Sequence, residues 1–290
     1  MGSSELDFSA CDELERDFLE TTDSIKKFIQ WFALHGQAAH AMKSSPMCTE
    51  FPELQESTLE FNTIISDFWR VSDELRIEIP VLRSMLLFRL CAEFEQVILS
   101  LTKEFAIAWC DGLEQGSKVP SNLQKALEGK LKKVMASPSR YGFSYEKVSE
   151  YLSSQIEISS RKGLPSDEQR AKAYIVFDLL VVTDSNLRFD ILNQCLKPFC
   201  KEWADRVVQQ NSVKEFFGET EDQLCRELLK KQLNNLMDVR NFLAHPISTN
   251  GAFPDGDKIR ESVEFLAVLV PAINSTVKLA IKENLKRDSG

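Results

Sequence analysis

Apolar residues recur at helical spacing along most of the chain, which has 290 residues. In residues 11–34 they stand on an otherwise charged background, which predicts an amphipathic helix. These apolar residues are Leu14, Phe18, Ile25, Phe28, Ile29 and Phe32. A loop is expected at residues 44–52, and a second helix at about residues 54–75.

Residues 81–109 are apolar on nearly every side of the helix that they predict. Pro80 suits the first turn of that helix, because the missing N–H of a proline is not needed there. A helix without a polar face is buried on most sides. We therefore expect this segment to be the central helix of the fold.

The middle of the chain has a weaker pattern. Glycines and prolines punctuate residues 111–170, which predicts short helices in a looser insertion. Residues 173–182 form a short apolar run, and periodicity alone cannot decide between helix and strand there. Helices resume over about residues 187–208.

The last third of the chain predicts two long helices. The first covers residues 219–244 and ends at His245-Pro246, because the ring of a proline disfavours helical geometry in the residue before it. A polar loop at residues 248–257 precedes a final helix at about residues 258–284. The helical spacing of the first one is set by Leu229, Leu233, Leu236 and Leu243.

The composition agrees with an all-α fold. Eleven glycines and ten prolines are few for this length, and abundant Leu, Glu, Lys and Phe favour long helices. No repeat of about 20–50 residues is found, which argues against a helical solenoid. We expect an acidic N-terminal helical extension over residues 1–75, and a helical domain over residues 76–290 with the insertion at about residues 111–170.

The net charge of −9 is unevenly distributed. Residues 1–60 hold 12 acids and 4 bases, so the remaining 230 residues hold 32 acids and 31 bases. The acidic segment is either a packed extension or an internal mimic of RNA that shields a basic cleft. A basic cluster stands in the middle of the chain, where a solvated helix face is its usual meaning. It consists of Lys118, Lys125, Lys130, Lys132, Lys133 and Arg140.

The cysteines and the apolar runs favour a cytoplasmic protein. Seven scattered cysteines without a CxxC pair are typical of reduced thiols in the cytosol. The first twenty residues are acidic, so no signal peptide is expected. The longest apolar stretch, residues 263–281, is interrupted by polar residues and predicts a core helix that does not span a membrane.

Candidate chemistry is concentrated at residues 238–246. Asn241 and His245 are four positions apart and share one face of the helix end. Arg240 falls on the leucine stripe, where a guanidinium needs a carboxylate, a phosphate or a partner surface. The imidazole of His245 stands at a helix C-terminus, which favours its protonated form.

A purely structural interpretation of the same residues stays open. Arg240 can pair with Asp238 or Glu227, and a histidine before a helix stop is commonly a capping residue. The other histidines, His35 and His40, have no neighbouring Cys and no HExxH pattern, so no zinc site is expected. The sequence also lacks a glycine-rich phosphate loop and a GxSxG motif.

The motif Arg240-Asn241-x-x-x-His245, closing a helix in an all-α chain, resembles the signature of the HEPN superfamily of ribonucleases. The full sequence of this segment, Val-Arg-Asn-Phe-Leu-Ala-His, is similar to the motif of the RiboL-PSP branch. The segment from Arg83, which carries Phe94-Glu95, resembles an early buried helix of that branch. The resemblance covers about residues 75–285, and Pro246 departs from it where a glycine often follows the histidine.

The resemblance implies a HEPN-type helical bundle and an endoribonuclease that needs no metal or other cofactor. The RNA 2′-hydroxyl attacks the adjacent phosphate and leaves a cyclic phosphate and a 5′-hydroxyl. His245 is then the general acid or base, Arg240 stabilises the phosphorane, and Asn241 orients a phosphate oxygen or the imidazole. Glu95 orients Arg240 or His245, although a plain ion pair or a solvent-facing carboxylate remains an equal alternative.

The resemblance also implies partners. Two copies of the motif face each other in this family, so we expect a C2 homodimer with a composite site near Arg240. RNA is the expected substrate, an inhibitory partner is conceivable for a toxin or defence effector, and no membrane is expected. The alternatives are an inactive HEPN-like dimerisation or scaffold protein, and a helical regulator that binds a nucleotide without cleaving it.

Overall fold

The computed structural model describes residues 6–44, 55–113, 118–160, 174–183, 186–244 and 255–288. Within these residues every regular element is helical, which confirms the predicted all-α class. The α-helices are α1 Ser9–Ser44, α2 Gln55–Asp111, α3 Ser121–Ala136, α4 Tyr145–Ser160, α5 Phe189–Leu196, α6 Trp203–Val208, α7 Asn211–Phe217, α8 Asp222–Ala244 and α9 Gly256–Asp288. Two 3-10 helices cover Pro138–Tyr141 and Ile175–Val181.

Contacts along the chain define two compact units. The first unit contains Met1–Leu19, Ala92–Asp238 and Phe265–Gly290. The second contains Glu20–Cys91 and Val239–Glu264. The boundary that we predicted between residues 75 and 76 falls inside α2, and the division into an extension and a main domain stays a prediction.

The core of the first unit is rich in aromatic residues. Phe94 and Phe105 on α2 are fully buried, in agreement with a central helix. The ring of Phe105 meets that of Phe199 edge-on at 5.8 Å between centroids. Trp203 at the start of α6 is also buried, and its indole N–H donates to Asn193. Such edge-to-face pairs stabilise a core beyond the area that they bury.

The first turns of α1 pack into this unit. Phe8, Cys11 and Phe18 are buried. Asn274 on α9 donates to the carboxylate of Glu15 at 2.5 Å, and Lys278 forms an ion pair with Asp12. The first turns of α1 are therefore part of the core rather than a loose acidic tail.

A close approach fixes Gly112, just after α2. A Cβ atom at this position would collide with the side chains of Leu6 and Leu285. The N-terminal segment and the end of α9 thus meet at a position that only glycine can occupy without displacing them.

The predicted insertion is more regular than we expected. It contains α3 and α4, with 16 residues each, and both pack against the 3-10 helix Ile175–Val181. That 3-10 helix lies in the apolar run whose structure the pattern left open. The amide of Val176 in it donates to the hydroxyl of Ser154 on α4.

Three predicted helix bounds were wrong. Pro80 does not begin a helix, since α2 continues through it, and α1 runs on to Ser44. A proline inside a long helix removes one backbone hydrogen bond, while the turns on either side keep theirs. Helix α8 begins at Asp222 because the carboxylate of Glu219 accepts the N–H groups of Thr220 and Glu221, and these bonds lower the pKa of Glu219.

Most of the predicted loop at residues 44–52, and residues 248–254 of the second loop, lie outside the described residues. The last helix is confirmed as α9, and Pro271 lies within it. Of the described helices, this one alone is long and apolar enough to cross a membrane by length and composition, and 61% of its most apolar window is buried in the protein. The cytoplasmic location stays a prediction.

Candidate active site

The predicted leucine stripe of α8 is confirmed at three of its four positions. Leu229, Leu233 and Leu236 are buried, whereas Leu243 is half-buried, and α8 is described as far as Ala244. The last turn of α8, from Val239 onward, belongs to the second unit, and its residues are half-buried. The motif thus begins on a regular helix that is fixed by an apolar face.

Arg240 is held against an aromatic ring. Its guanidinium carbon lies 5.1 Å from the ring centroid of Phe88 on α2. The side chain is half-buried, and its Nε is shielded from solvent. A guanidinium over a ring face is attracted by the negative charge of the π-system.

A groove of about 820 Å³ in the second unit borders this contact. Phe88, the ring that Arg240 contacts, is among its lining residues. Its described lining is mostly apolar and comes from α1, α2 and the last turn of α8. These residues are Phe28, Val81, Leu82, Ser84, Met85, Leu86, Phe88, Arg89, Phe242, Leu243 and Ala244.

Arg83 and Arg89 on α2 also belong to this unit. Arg89 lines the groove, and the guanidinium of Arg83 lies 3.3 Å from where a Cβ of Gly256 would stand. The absence of a side chain at Gly256, the first residue of α9, lets Arg83 approach the backbone there. The second unit therefore places cationic groups on α2 as well as on α8.

Sequence reasoning missed Phe88, Arg83 and Arg89 as candidates. All three lie in the segment that carried the resemblance, whose predicted site residue was Glu95. The feature that made Arg240 a candidate, a guanidinium within an apolar run, also applies to Arg83 and Arg89 and could have identified them.

The other predicted site residues have different outcomes. Asn241 is half-buried on the last turn of α8, beside Arg240 in sequence. His245 and Pro246 lie outside the described residues. The structure thus brings Arg240 and Asn241 together on one helix end, and the place of the imidazole stays a prediction.

Glu95 belongs to the first unit. It is half-buried on α2, and its Oε1 accepts the backbone N–H of Leu187 at 3.2 Å. Asp238, one of the acids that could have paired with Arg240, forms an ion pair with Arg188. The role of Glu95 in orienting Arg240 or His245 stays a prediction.

Within the described part of the chain, no three His, Cys, Asp or Glu side chains are grouped so that they could hold a metal ion.

The comparisons with known proteins gave no relative. No family model, no curated protein and no solved structure matches this chain.

Proposed function

We propose that this protein is a metal-independent endoribonuclease of the HEPN type. The observation that carries the proposal is the position of Arg240. Its side chain is half-buried at the end of α8, and its guanidinium lies over the ring of Phe88, which lines a groove. An arginine in that place is suited to meet a phosphate, since its fork of donors matches phosphate oxygens.

The chemistry follows from three groups of the motif. A base takes the proton of the RNA 2′-hydroxyl, and the 2′-oxygen forms a bond to phosphorus. The bond from phosphorus to the 5′-oxygen breaks, and an acid protonates that oxygen, which leaves a 2′,3′-cyclic phosphate and a 5′-hydroxyl. His245 supplies the acid or the base, Arg240 stabilises the added negative charge, and Asn241 orients a phosphate oxygen or the imidazole.

One further feature supports an anionic substrate. Arg89 contributes a cationic side chain to the lining of the same groove. The field of such a group raises the local concentration of an anion. We assign Glu95 to the positioning of Arg240 or His245.

The groove also supports a homodimer. Phe28, Val81 and Met85 are 56%, 50% and 63% exposed, an unusual exposure for large apolar side chains that share one groove. We propose that two copies pair about a twofold axis near this surface and complete one site from two motifs. A toxin or defence effector with an inhibitory partner is the biological setting that this proposal implies.

The test is cleavage of total RNA by the purified protein in EDTA. We expect the wild type to cut and to leave cyclic phosphate ends, and His245→Ala and Arg240→Ala to lose the activity. His40→Ala is the matched control, because it removes a histidine outside the motif. Activity that persists in His245→Ala would come from a contaminant or another site, and would refute the proposal.

A second candidate is favoured by the apolar lining itself. A HEPN-like dimerisation or scaffold protein would use the groove to pair with a second copy and would not need the imidazole of His245. If the wild type fails to cut RNA yet sediments as a dimer, and Met85→Glu disperses that dimer, this second function is supported. A regulator that holds a nucleotide without cleaving it would instead show nucleotide binding that Arg240→Ala removes.

A further inference from the structure

Helix α3 has one apolar face and one basic face. Leu123, Leu127, Leu131 and Val134 are buried against α4 and the 3-10 helix Ile175–Val181. On the opposite side Lys125, Lys132 and Lys133 are exposed, and so is Arg140 just after the helix. Residues 118–145 hold six Lys or Arg and one acid, Glu128, within a chain of net charge −9.

Two of these cations, Lys125 and Lys132, are available to a ligand, since they form no ion pair among the described residues. The guanidinium carbon of Arg140 lies 5.8 Å from the ring centroid of the neighbouring Tyr141. Lys130 is different, since its ammonium donates to the backbone carbonyl of Val182 and anchors the helix. Unpaired cations along one helix face attract an extended polyanion more strongly than the same charges neutralised by acids.

Gly129 lies in the middle of the basic face. It is four positions after Lys125, three before Lys132 and four before Lys133, so its neighbours along the helix surface are lysines. Its φ is not positive, and a Cβ there would have nothing within 4 Å. Neither backbone conformation nor packing requires glycine, although glycine weakens a helix interior. The missing side chain leaves bare backbone between lysines, where a phosphate can approach closely.

Aromatic residues follow the cations. Tyr141 lies beside Arg140, and Tyr145 at the start of α4 is 81% exposed. Cations that track a backbone, together with rings on which bases stack, are typical of proteins that bind single-stranded nucleic acid. An anionic membrane fits less well, because the apolar face of α3 is buried and cannot enter a bilayer.

We propose that the basic face of α3, made of Lys125, Gly129, Lys132 and Lys133, binds the sugar-phosphate backbone of single-stranded RNA together with Arg140 just after the helix. The surface belongs to the first unit, whereas Arg240 belongs to the second. This binding does not depend on the nuclease function and would persist in a chain that cuts nothing.

The test is the affinity of the full chain for a fluorescent 2′-O-methyl oligonucleotide, which cannot be cleaved by 2′-hydroxyl attack. Fluorescence anisotropy is followed over a range of salt concentrations. Lys125→Gln/Lys132→Gln should weaken binding about tenfold and lower the slope of log K against log salt by about 1.4, from about 0.7 for each phosphate contact. Lys231→Gln/Lys286→Gln, which removes two exposed lysines elsewhere, is the control matched in charge and should change neither quantity.

Gly129→Gln separates this surface from a general charge effect, because it keeps the net charge. Glutamine favours a helix interior more than glycine does, so the melting temperature should rise. Its side chain fills the space between the lysines, so binding should weaken several-fold, whereas Glu128→Gln removes the one acid of the segment and should strengthen binding. Equal affinities of wild type and the Lys125/Lys132 variant, unchanged affinity in Gly129→Gln, or preference for phosphatidylserine vesicles over RNA would each overturn the proposal. His245→Ala should bind as the wild type does, which keeps this result separate from that of the cleavage assay.

Discussion

Arg240 is a charged residue on the apolar stripe of α8, and its guanidinium lies over the aromatic ring of Phe88. The stripe itself could be predicted, since four leucines set its period, and the position of Arg240 on it followed from counting. Its stacking on Phe88 could not be predicted, because that contact joins residues far apart in the sequence. Periodicity describes one helix at a time and carries no information on which side chain of another helix lies opposite.

The contact between Arg240 and Phe88 leads to the first prediction. Phe88→Leu keeps apolar volume but removes the ring face, and a partly exposed cation–π contact contributes about 0.5–1 kcal/mol. We expect RNA cleavage to slow about two- to fivefold, with little change in melting temperature because Phe88 is 38% exposed. Met85→Leu, a change at a more exposed position of the same groove, should leave the rate unaltered. Equal rates for Phe88→Leu and wild type would show that the ring does not position the guanidinium.

Buried thiols give the second prediction at this scale. Burial raises the pKa of both Cys11 and Cys110 to about 12. Because the neutral thiol is favoured in the folded state, these groups stabilise the fold fully below the pKa of an unfolded thiol, near 9, and this contribution is lost as the pH rises toward 12. Iodoacetamide at pH 8 should therefore leave both residues unlabelled in the native protein and label them in urea, as measured by mass spectrometry.

The control for the thiol prediction is Cys110→Ala. Its melting temperature should fall less steeply between pH 9 and 12 than that of the wild type. Rapid native labelling of Cys11 would contradict the burial of the first turns of α1.

At the scale of helices, amphipathic patterns identified the long elements well and their ends poorly. Helix α8 is described as far as Ala244, and its predicted end at Pro246, a local signal, lies outside the described residues. The continuation of α2 through Pro80 was not predictable, since a proline at a first turn and a proline inside a longer helix give the same local sequence signal. The regular pairing of α3 and α4 was also missed, because glycine and proline in the connections suggested looseness throughout.

The two faces of α8 give a prediction for this element. Leu233 is fully buried and Leu224, nine positions earlier on the same helix, is 42% exposed. Leu233→Ala should lower the free energy of unfolding by about 2–5 kcal/mol, through lost transfer energy and the cavity left behind. Leu224→Ala should change it by about 0.5 kcal/mol or less. Urea denaturation measures both, and similar losses in the two variants would contradict the orientation of α8.

At the scale of the whole chain, the acidic N-terminal segment acts first as structure. Composition alone left open a packed extension and an RNA mimic. Phe8, Cys11 and Phe18 are buried in the first unit, and Asp12 pairs with Lys278, so the first turns are packed. Charge counts could not decide between these two alternatives. An amphipathic helix that packs on the core also carries its acids on the outer face, so both alternatives have the same composition.

This packing predicts the result of truncation. Deleting residues 1–19 removes two buried phenylalanines, each contributing about 1.5–3 kcal/mol. Each kcal/mol lost lowers the melting temperature of a large domain by about 2–4 °C. We therefore expect the truncated protein to melt about ten degrees lower or more. Glu20→Gln/Asp23→Asn, which neutralises exposed acids without touching the core, should melt as the wild type does. A stable truncated protein would show that these turns are dispensable.

The ion pair between Asp12 and Lys278 has one more consequence. A carboxylate and an amine in direct contact are the substrates of a carbodiimide, which joins them as an amide without a spacer. The resulting bond would close a loop across 266 positions of the chain. By the scaling used for cross-links of this span, it would remove about 5.6 kcal/mol of chain entropy from the unfolded ensemble. One covalent link between the first turn of α1 and the C-terminal half of α9 would therefore make the fold far more resistant to heat.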